Sequence, residues 1–282
     1  MPELPEVETI ARGVNARVRG DRIVDAWFGP HREPFKNSAA RQAKGLAERR
    51  IESVHRIGKH IVVELGVQGE RHRGTGAGEI AAQWIVHLGM TGRLLVTTPD
   101  AEVAKHTHAR LRLESGRELR FVDSRRFGRL EFLDLAKGNG FGGPGKEPLT
   151  IAGEEFAKLF HGRKLAVKAA LLNQTLLAGV GNIYADESLF RAGIRPRRRA
   201  GNLTRLELER LRKALKEVLE HAIRLGGSSV SDYVDAEGMK GFFQLEHNVY
   251  QRTGEPCRTC GDEIKRIVVA GRSTHYCARC QH

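Results

Sequence analysis

The hydrophobic pattern of this chain changes its period once, at the glycine-rich segment KGNGFGGPGKE of residues 137–147. From about residue 22 to 133, turn residues separate short apolar or alternating runs, which is typical of β-strands: IVDAWF, IVVEL, WIVHL, RLLVTT, ARLRLES, LRFVD and RLEFLD. After the segment, residues 165–179, 183–193 and 203–227 follow the helical period. We therefore predict an α+β multidomain fold, with an N-terminal β-sandwich or barrel and a helical C-terminal part.

A helix is expected to precede the strands. Residues 4–19 place five apolar side chains on one helical face: Val7, Ile10, Ala11, Val14 and Val18. Pro5 suits a first helical turn, and Glu6 suits the positive end of the helix dipole. The residues directly before this helix are therefore expected to be held in place rather than frayed.

Length and composition exclude several classes of protein. The 282 residues suggest two domains, or one large domain with an appendage. A hydrophobic content of 40% is enough for a packed core, and no apolar run approaches the roughly 18 residues of a membrane span. The N-terminus also lacks the basic and apolar pattern of a signal peptide. We expect a soluble cytoplasmic protein without a membrane segment.

The charge of the chain indicates a polyanionic partner. Lys and Arg number 47 against 34 acidic residues, which gives a formal net charge of +13 and a pI of about 10.0. A basic chain of this kind favours nucleic acid, and Arg binds phosphate through two hydrogen bonds. A solvated surface is the alternative. An anionic membrane is less favoured, because the most basic stretch, residues 195–199, is not amphipathic.

All four cysteines lie near the C-terminal end of the sequence. Cys257 and Cys260 form one C-x2-C pair, and Cys277 and Cys280 form a second pair after sixteen intervening residues. This spacing predicts a zinc site with four thiolate ligands, which is closed and therefore structural. The intervening segment can form a hairpin with Arg272 near its tip. Two disulfides are the alternative, and the lack of a secretion signal argues against them.

Six segments that follow one another along the chain resemble a single family. They are PELPEVE (2–8), IGKH (57–60), HLGMTG (87–92), DSRRFG (123–128), NQTLLAGVGNIYADESLF (173–190) and the four-cysteine module. Together they resemble bacterial formamidopyrimidine-DNA glycosylase, a family that removes 8-oxoguanine and ring-opened purines from DNA. The resemblance covers nearly the whole chain. Leu4-Pro5-Glu6 favours this branch over the sibling endonuclease VIII group, which typically has Gly-Pro-Glu there.

The resemblance implies a domain plan. Its parts are a catalytic N-terminal helix and β-sandwich (1–135), a hinge (136–150), a helix-two-turn-helix domain (151–225), a lesion-capping loop (226–250) and a zinc-ribbon finger (251–282). The implied cofactor is one structural Zn²⁺ per chain. The implied partner is damaged double-stranded DNA, bound by a monomer in the bacterial cytoplasm at the nucleoid.

The resemblance also implies that Pro2 is the nucleophile once Met1 has been removed. An α-amino group titrates near pH 8, about 2 pH units below a lysine side chain, so a larger fraction is neutral and nucleophilic. The secondary amine of proline would attack the sugar C1′ and, after losing its one N–H proton, form an iminium that stays positively charged because no further proton remains on nitrogen. Glu3 would carry a proton to the ring oxygen of the deoxyribose. Elimination in β and δ steps would then cut the strand.

Further residues match family positions that contact the DNA backbone. Lys59 matches a lysine that contacts the phosphate at the lesion and assists elimination. Asn182, at a helix-turn-helix junction, and Arg272 match a pair that grips the backbone at the damaged nucleotide, and Arg272 is also counted with the catalytic residues. Lys168 is expected to add DNA-binding charge. Glu187 matches a buried carboxylate of the same module.

A histidine contact with DNA is also expected at position 107. The sequence has Thr107 at that position, and the histidines of the segment are its neighbours His106 and His108. The expected histidine is therefore absent at position 107. The solvent accessibility of residues 106–108 determines which of their side chains could contact DNA instead.

An enzyme that acts on a base within a duplex must extrude that base, and the gap must then be filled. The resemblance assigns this role to Met90, Arg125 and Phe127, with an apolar wedge between bases and an Arg facing the orphaned cytosine. By residue type alone, Met90 and Phe127 would be core residues. The segment 226–244 matches a loop that closes over the flipped purine, and Ser231 in it replaces a Lys or Arg of many relatives.

Two other functions are compatible with parts of the sequence. A non-catalytic DNA-binding protein would need the helix-turn-helix and the zinc ribbon, but not Pro2 and Glu3. A glycosylase for oxidised pyrimidines would belong to the sibling branch, and the set of Met90, Arg125 and Phe127 argues against it. A panel of damaged substrates distinguishes these alternatives.

Overall fold

The computed structural model describes residues 1–32, 34–69, 78–229, 236, 239 and 241–282. The chain forms two compact units. The first unit comprises Met1–Pro2, Glu6–Gly143 and Ser228–Gly241, and the second comprises Glu3–Pro5, Pro144–Gly227 and Phe242–His282. Each unit therefore combines residues from distant parts of the sequence, which the predicted division into consecutive ranges does not express.

Two antiparallel four-stranded sheets form the first unit, with the orders β1-β6-β7-β5 and β2-β3-β4-β8. The strands are β1 (Ile23–Phe28), β2 (Ile51–Ile57), β3 (His60–Leu65), β4 (Ala82–His87), β5 (Arg93–Thr97), β6 (Thr107–Leu113), β7 (Glu118–Val122) and β8 (Arg129–Asp134). Both sheets contribute to one hydrophobic core, which includes Trp84 of one sheet and Phe121 of the other. The predicted β-sandwich is therefore present.

Two helices accompany these sheets, α1 (Leu4–Val18) and α2 (Ala39–Leu46). The five apolar residues that predict α1 are all buried in the core. The sequence patterns do not reveal α2 or β2. In α2 only Gln42 and Leu46 are buried, so this short helix places a single large apolar side chain in the core. In β2 charged residues such as Glu52 and Arg56 interrupt the apolar alternation.

Four helices form much of the second unit: α3 (Gly153–Phe160), α4 (Val167–Leu172), α5 (Asn182–Arg191) and α6 (Arg205–Arg224). The start of α6 is a capping box, in which Thr204 and Glu207 each accept a hydrogen bond from the backbone N–H of the other. Arg198 also binds Glu207, which lowers the pKa of this carboxyl to about 2. Within the described residues, no helix is long and apolar enough to cross a membrane.

The predicted helix over 165–179 is too long, because α4 ends at Leu172. Asn173 adopts an extended backbone conformation, and its Oδ1 accepts hydrogen bonds from the backbone N–H and the hydroxyl of Thr175. An Asn side chain that binds the backbone two residues later favours a turn over a helix. The apolar residues that follow belong to the turn before α5.

The C-terminal finger contains the predicted hairpin, with strands β9 (Ile264–Val269) and β10 (Arg272–Cys277). Two residues connect the strands, Ala270 at φ 49° and Gly271 at φ 72°. Positive φ at both positions is the requirement of a type I′ turn, which matches the twist of a two-stranded hairpin. Arg272 therefore follows directly after the tip.

Candidate functional site

Glu3 lies at the N-terminus of α5, within the second unit. Its side chain is buried, and its Oε1 accepts a hydrogen bond from the backbone N–H of Ile183 at 3.3 Å. The positive end of a helix dipole stabilises a carboxylate in this position. Gly181 provides the space, because a Cβ there would lie 2.1 Å from Glu3 Cδ. The local fold of the turn therefore holds this acid directly.

A buried ion pair connects α4, α5 and the finger hairpin. Lys168 Nζ lies 2.7 Å from Asp186 Oδ1, and both side chains are fully buried. The ammonium also donates to Ser273 O and to Thr274 Oγ1, at 2.9 Å each. Asp186 Oδ2 accepts the backbone N–H of His275 at 2.9 Å. Five residues from three elements thus form one polar network.

The predicted DNA contact by Lys168 does not fit this setting. Its three N–H groups have three protein partners, and the side chain is shielded from any external ligand. Burial lowers the pKa of Lys168, whereas Asp186, and more weakly Glu3, raise it. Lys168 therefore acts inside the unit, where it fixes the hairpin to the helices.

Asn182 and Arg272 lie on the two elements that this network joins. Asn182 is the first residue of α5, and its Nδ2 donates to Ser273 O at 2.9 Å. Arg272 is exposed at the start of β10, next to Ser273. The structure thus brings the helix terminus and the hairpin tip together through Ser273, and it leaves the Arg272 side chain accessible.

Glu187 is buried one turn further along α5. Its carboxylate accepts the backbone N–H groups of Asn248, Val249 and Tyr250, at distances of 2.9 to 3.0 Å. Burial raises the pKa of Glu187, and these hydrogen bonds oppose the shift. The predicted buried carboxylate is thus a brace for the segment that leads into the finger.

The four cysteines form a compact sulfur cluster in the finger. All four Sγ atoms lie within 4.8 Å of one another, with Cys257 3.9 Å from Cys280 and Cys260 3.4 Å from Cys277. A tetrahedron with metal–sulfur bonds of about 2.3 Å has sulfur–sulfur edges of roughly 3.8 Å. The donors and their spacing therefore fit Zn²⁺, and the cysteines are free rather than joined as disulfides.

Pro2 and Lys59 belong to the first unit. Pro2 is buried, directly after an exposed Met1. Lys59 and Gly58 form the two-residue connection between β2 and β3, where Gly58 has φ 60°. Burial, followed by the charges of His60 and Lys59, lowers the pKa of His87 to about 4. His87 is therefore neutral at physiological pH.

Met90, Arg125 and Phe127 all lie on exposed loops of the first unit. Met90 is 42% exposed and Phe127 is 49% exposed, which is far from the burial expected of core residues. The Arg125 guanidinium carbon lies 4.7 Å from the centre of the Phe127 ring. An aromatic and a cationic group are thus presented together to solvent.

The residues at and beside position 107 differ strongly in accessibility. Thr107 donates its hydroxyl to Ala104 O at 2.7 Å, and the His108 ring is buried with Nε2 2.9 Å from Asp123 O. His106 is exposed and lines a surface cavity of about 410 Å³ with Trp27, His31 and Arg126 among others. The histidine expected at 107 is therefore corrected to Thr107, and His106 is the accessible imidazole beside it.

Three protein-family models match successive parts of the chain. The formamidopyrimidine-DNA glycosylase N-terminal domain matches residues 1–130, and the H2TH domain of the same family matches residues 144–234. A zinc finger found in FPG and IleRS matches residues 254–282. The chain belongs to the formamidopyrimidine-DNA glycosylase family. Its finger is the zinc finger of that family, and the four cysteines are placed to hold one structural zinc.

Curated relatives of this family match the chain over its full length. A formamidopyrimidine-DNA glycosylase of Solibacter usitatus is 47% identical over 285 residues, which cover 100% of this chain and 99% of the relative. One from Desulfitobacterium hafniense is 42% identical over 289 residues, with 100% of both chains covered. The similarity therefore extends over both units and the finger.

Solved structures of the family share the fold. A complex between the Lactococcus lactis Fpg and DNA containing an abasic site has a TM-score of 0.85 and 34% identity, with 99% of each chain covered. The MutM (Fpg) protein of Thermus thermophilus has a TM-score of 0.83 and 40% identity, over 99% of this chain and 98% of that chain. The mixed helix and sheet architecture is thus that of the formamidopyrimidine-DNA glycosylase family.

The family motifs do not by themselves reveal several residues that build the site. Gly181 and Asp186 lie within the motif of residues 173–190, but nothing in the sequence pairs them with Glu3 and Lys168. The hairpin register, which places Thr274 next to these helices, is likewise a tertiary feature. Ser231, the departure in the predicted capping loop, lies outside the described residues.

We expect one zinc ion per chain in the purified protein. Metal analysis should give a ratio near 1, and replacing Cys260 or Cys277 with Ser should abolish it, because each removes one of four thiolate ligands. Ser273→Ala retains all four thiolates and keeps the backbone carbonyl at position 273, so it serves as the control. A metal-free wild-type protein with a fully folded finger would contradict the assignment.

Proposed function

We propose that the protein is a base-excision-repair DNA glycosylase that removes oxidised purines, 8-oxoguanine and formamidopyrimidines, from duplex DNA. After excision it cleaves the strand at the abasic site. The observation that carries the proposal is the position of Glu3, which is buried against the N-terminus of α5 directly after Pro2. A protein that only binds DNA has no need of an acid fixed beside a potential amine nucleophile.

The relatives support the substrate class. They are named formamidopyrimidine-DNA glycosylase, and one similar solved structure is a Lactococcus lactis FPG mutant, G226P, in complex with a Fapy-dG containing DNA. The formal net charge of +13 supports a polyanionic ligand. Together these observations favour a damaged purine in DNA over a small-molecule substrate.

The proposed reaction begins after Met1 has been removed. The Pro2 nitrogen attacks the deoxyribose C1′, the glycosidic bond breaks with its electron pair on the base, and the N–H proton of Pro2 passes to the leaving base. Glu3 must carry a proton at the next step, in which it delivers this proton to the ring oxygen as the ring opens and leaves an iminium between Pro2 and C1′. Loss of the C2′ proton then expels the 3′ phosphate, and a second elimination expels the 5′ phosphate. Lys59 is proposed to bind the phosphate at the lesion and to assist these eliminations.

The proposed DNA grip uses Asn182 and Arg272. A helix N-terminus favours phosphate through its dipole and its unpaired N–H groups, and Arg272 adds an exposed guanidinium next to it in the chain's finger. Lys168 contributes indirectly, because it holds the hairpin that carries Arg272. Met90, Arg125 and Phe127 are proposed to fill the gap left by the extruded nucleotide, since apolar wedges stabilise unstacked base steps.

We place this activity in the bacterial cytoplasm at the nucleoid. A monomer is proposed as the active form, because one chain supplies every residue that the reaction needs. The proposed enzyme activity also implies a division of the chain into five parts. These are a catalytic part (1–135), a hinge (136–150), a helix-two-turn-helix part (151–225), a capping loop (226–250) and a finger (251–282).

Borohydride trapping tests the nucleophile. The protein is incubated with a duplex that contains 8-oxoguanine opposite cytosine, borohydride is added, and the cross-linked peptide is mapped by mass. We expect a covalent adduct on Pro2, because reduction fixes an iminium. Tight binding without an adduct, in a protein shown to begin at Pro2, would contradict the proposed enzyme. An adduct that forms only with an oxidised pyrimidine would assign the chain to the sibling activity.

Gly181→Ala tests the position of Glu3. The new methyl group would displace the Glu3 carboxylate, so we expect trapping on 8-oxoguanine DNA to slow by about 100-fold, the low end of a general acid–base contribution. Gly142→Ala is the matched control, since its Cβ would meet nothing within 4 Å. If Gly181→Ala formed the trapped adduct at the wild-type rate, the observed position of the Glu3 carboxylate would not be required for the reaction.

Arg272→Ala tests the proposed phosphate contact. We expect weaker binding to all duplexes and a salt dependence reduced by about one counterion, because one cation–phosphate contact is lost. Arg279→Ala is the control in the same finger, where Arg279 is 68% exposed and lies 3.5 Å from Asp262. If DNA binding by the two variants depended equally on salt concentration, Arg272 would not be a phosphate contact.

A further inference from the structure

The carboxylate of Asp123 joins two loops of the first unit. Asp123 follows directly after β7 and is fully buried. Its Oδ1 accepts the hydroxyl of Thr91 at 2.5 Å, and its Oδ2 accepts the backbone N–H of Gly128 at 2.8 Å. The Arg125 backbone N–H lies 3.2 Å from Oδ1 and 3.3 Å from the Thr91 hydroxyl. One buried side chain therefore binds the loop after β4 and the loop before β8.

The backbones of the two loops also pack tightly at a second point. Gly89 has φ +61°, and a Cβ there would lie 2.4 Å from the Phe127 carbonyl carbon and 2.5 Å from Gly128 N. Only glycine allows this approach, because both the left-handed conformation and the space exclude a side chain. The loops therefore touch on both sides of Met90, at Gly89 and at Thr91.

Two histidines, His87 and His108, form further hydrogen bonds with the residues of this loop contact. The neutral ring of His87 accepts the Gly89 backbone N–H on Nδ1 at 3.2 Å, and the His108 Nε2 lies 2.9 Å from Asp123 O. Asp123 and His108 are buried and hydrogen-bonded, and such groups resist movement because displacing one would leave the other without its partner. Met90 and Phe127 thus extend into solvent from two loops that are joined to each other.

We propose that Asp123 and Thr91 are positioning residues that make the two loops insert into DNA as one body. This inference rests on the proposed function, in which Met90, Arg125 and Phe127 fill the gap. Arg125 faces the opposite base and Met90 lies on the other loop, so a fixed separation links gap filling to recognition of the opposite base. Neither Asp123 nor Thr91 needs to touch DNA for this effect.

A purely local role for Asp123 makes a different prediction. Its bonds to the N–H groups of Arg125 and Gly128 stabilise its own loop, and these bonds do not require Thr91. Thr91→Val removes only the hydroxyl that crosses between the loops and keeps nearly the same volume. Thr91→Ser retains that hydroxyl. This pair of variants therefore separates coupling between loops from the stability of one loop.

The experiment compares excision of 8-oxoguanine opposite cytosine and opposite adenine. We expect Thr91→Val to reduce the ratio of the two kcat/KM values by about 5-fold to 10-fold, the effect of one hydrogen bond, and Thr91→Ser to restore it. Thr97→Val, on β5, is the matched control and should keep the wild-type ratio. A ratio that Thr91→Val leaves unchanged would overturn the proposal.

A double-mutant cycle provides the second readout. If the loops act as one body, Met90→Ala and Phe127→Ala should have non-additive effects on kcat/KM in the wild-type background. In the Thr91→Val background the two effects should multiply independently. Non-additivity that persists in that background would assign the coupling to the backbone contact at Gly89 and overturn the role of Thr91.

Asp123→Asn is a third variant that tests the same proposal, and its folding is measured separately. The amide keeps one oxygen acceptor, but its NH₂ group would face an N–H donor, so both loops should loosen and the opposite-base ratio should fall at least as far as in Thr91→Val. Thermal unfolding measures whether this variant still folds, and the Thr91 pair decides the question if it does not. Failure of the wild type to trap on any damaged duplex would instead reject the proposed function.

Discussion

The backbone N–H of Ile183 binds the Glu3 carboxylate, while Asn182, one residue earlier, donates its side-chain N–H to Ser273 in the finger hairpin. Both contacts depend on where α5 begins, and Gly181, directly before α5, leaves the space that the Glu3 carboxylate occupies. One helix terminus thus sets the position of the proposed acid and of the strand that presents Arg272. The residues proposed for catalysis and for DNA binding in the second unit are therefore positioned by the same helix terminus.

The buried ion pair of Lys168 and Asp186 holds the start of α5 rigidly against the finger hairpin. Two charges removed from water are stable only when nearly all of their hydrogen-bonding capacity is used, and Thr274 and His275 supply the partners that the hairpin must provide. A shift of the hairpin by one residue would place other side chains there and leave a buried charge without compensation. Zinc holds the cysteine turns together, and this network sets where the hairpin lies against the helices.

Local patterns predict the parts of this protein, but not the way they meet. The apolar period reveals α1 and seven of the eight sandwich strands, and the cysteine spacing indicates the finger, because each signal is contained in a few adjacent residues. The role of Lys168 could not be predicted in the same way, since its partner Asp186 and the hairpin are distant in sequence. The helix predicted over 165–179 fails for a different, local reason, because the Asn173 side chain accepts the backbone N–H of Thr175 and stabilises a turn.

The net charge of the chain is also a weak guide to which cations meet a partner. Arg120 is buried and binds the carbonyl oxygens of Ala101 and Glu102, and Arg49 donates to the carbonyl oxygens of Gly45 and Gly66. These guanidinium groups hold loops in place, because Arg can satisfy several carbonyls at once. Accessibility, and not charge alone, separates the cations that can meet a partner from such residues. Arg272 follows a turn with two positive φ angles, Arg125 precedes Arg126 at φ 55°, and both side chains are exposed. Arg49 also follows a residue with positive φ, Glu48, yet it is buried, so the tertiary packing decides which cations reach solvent.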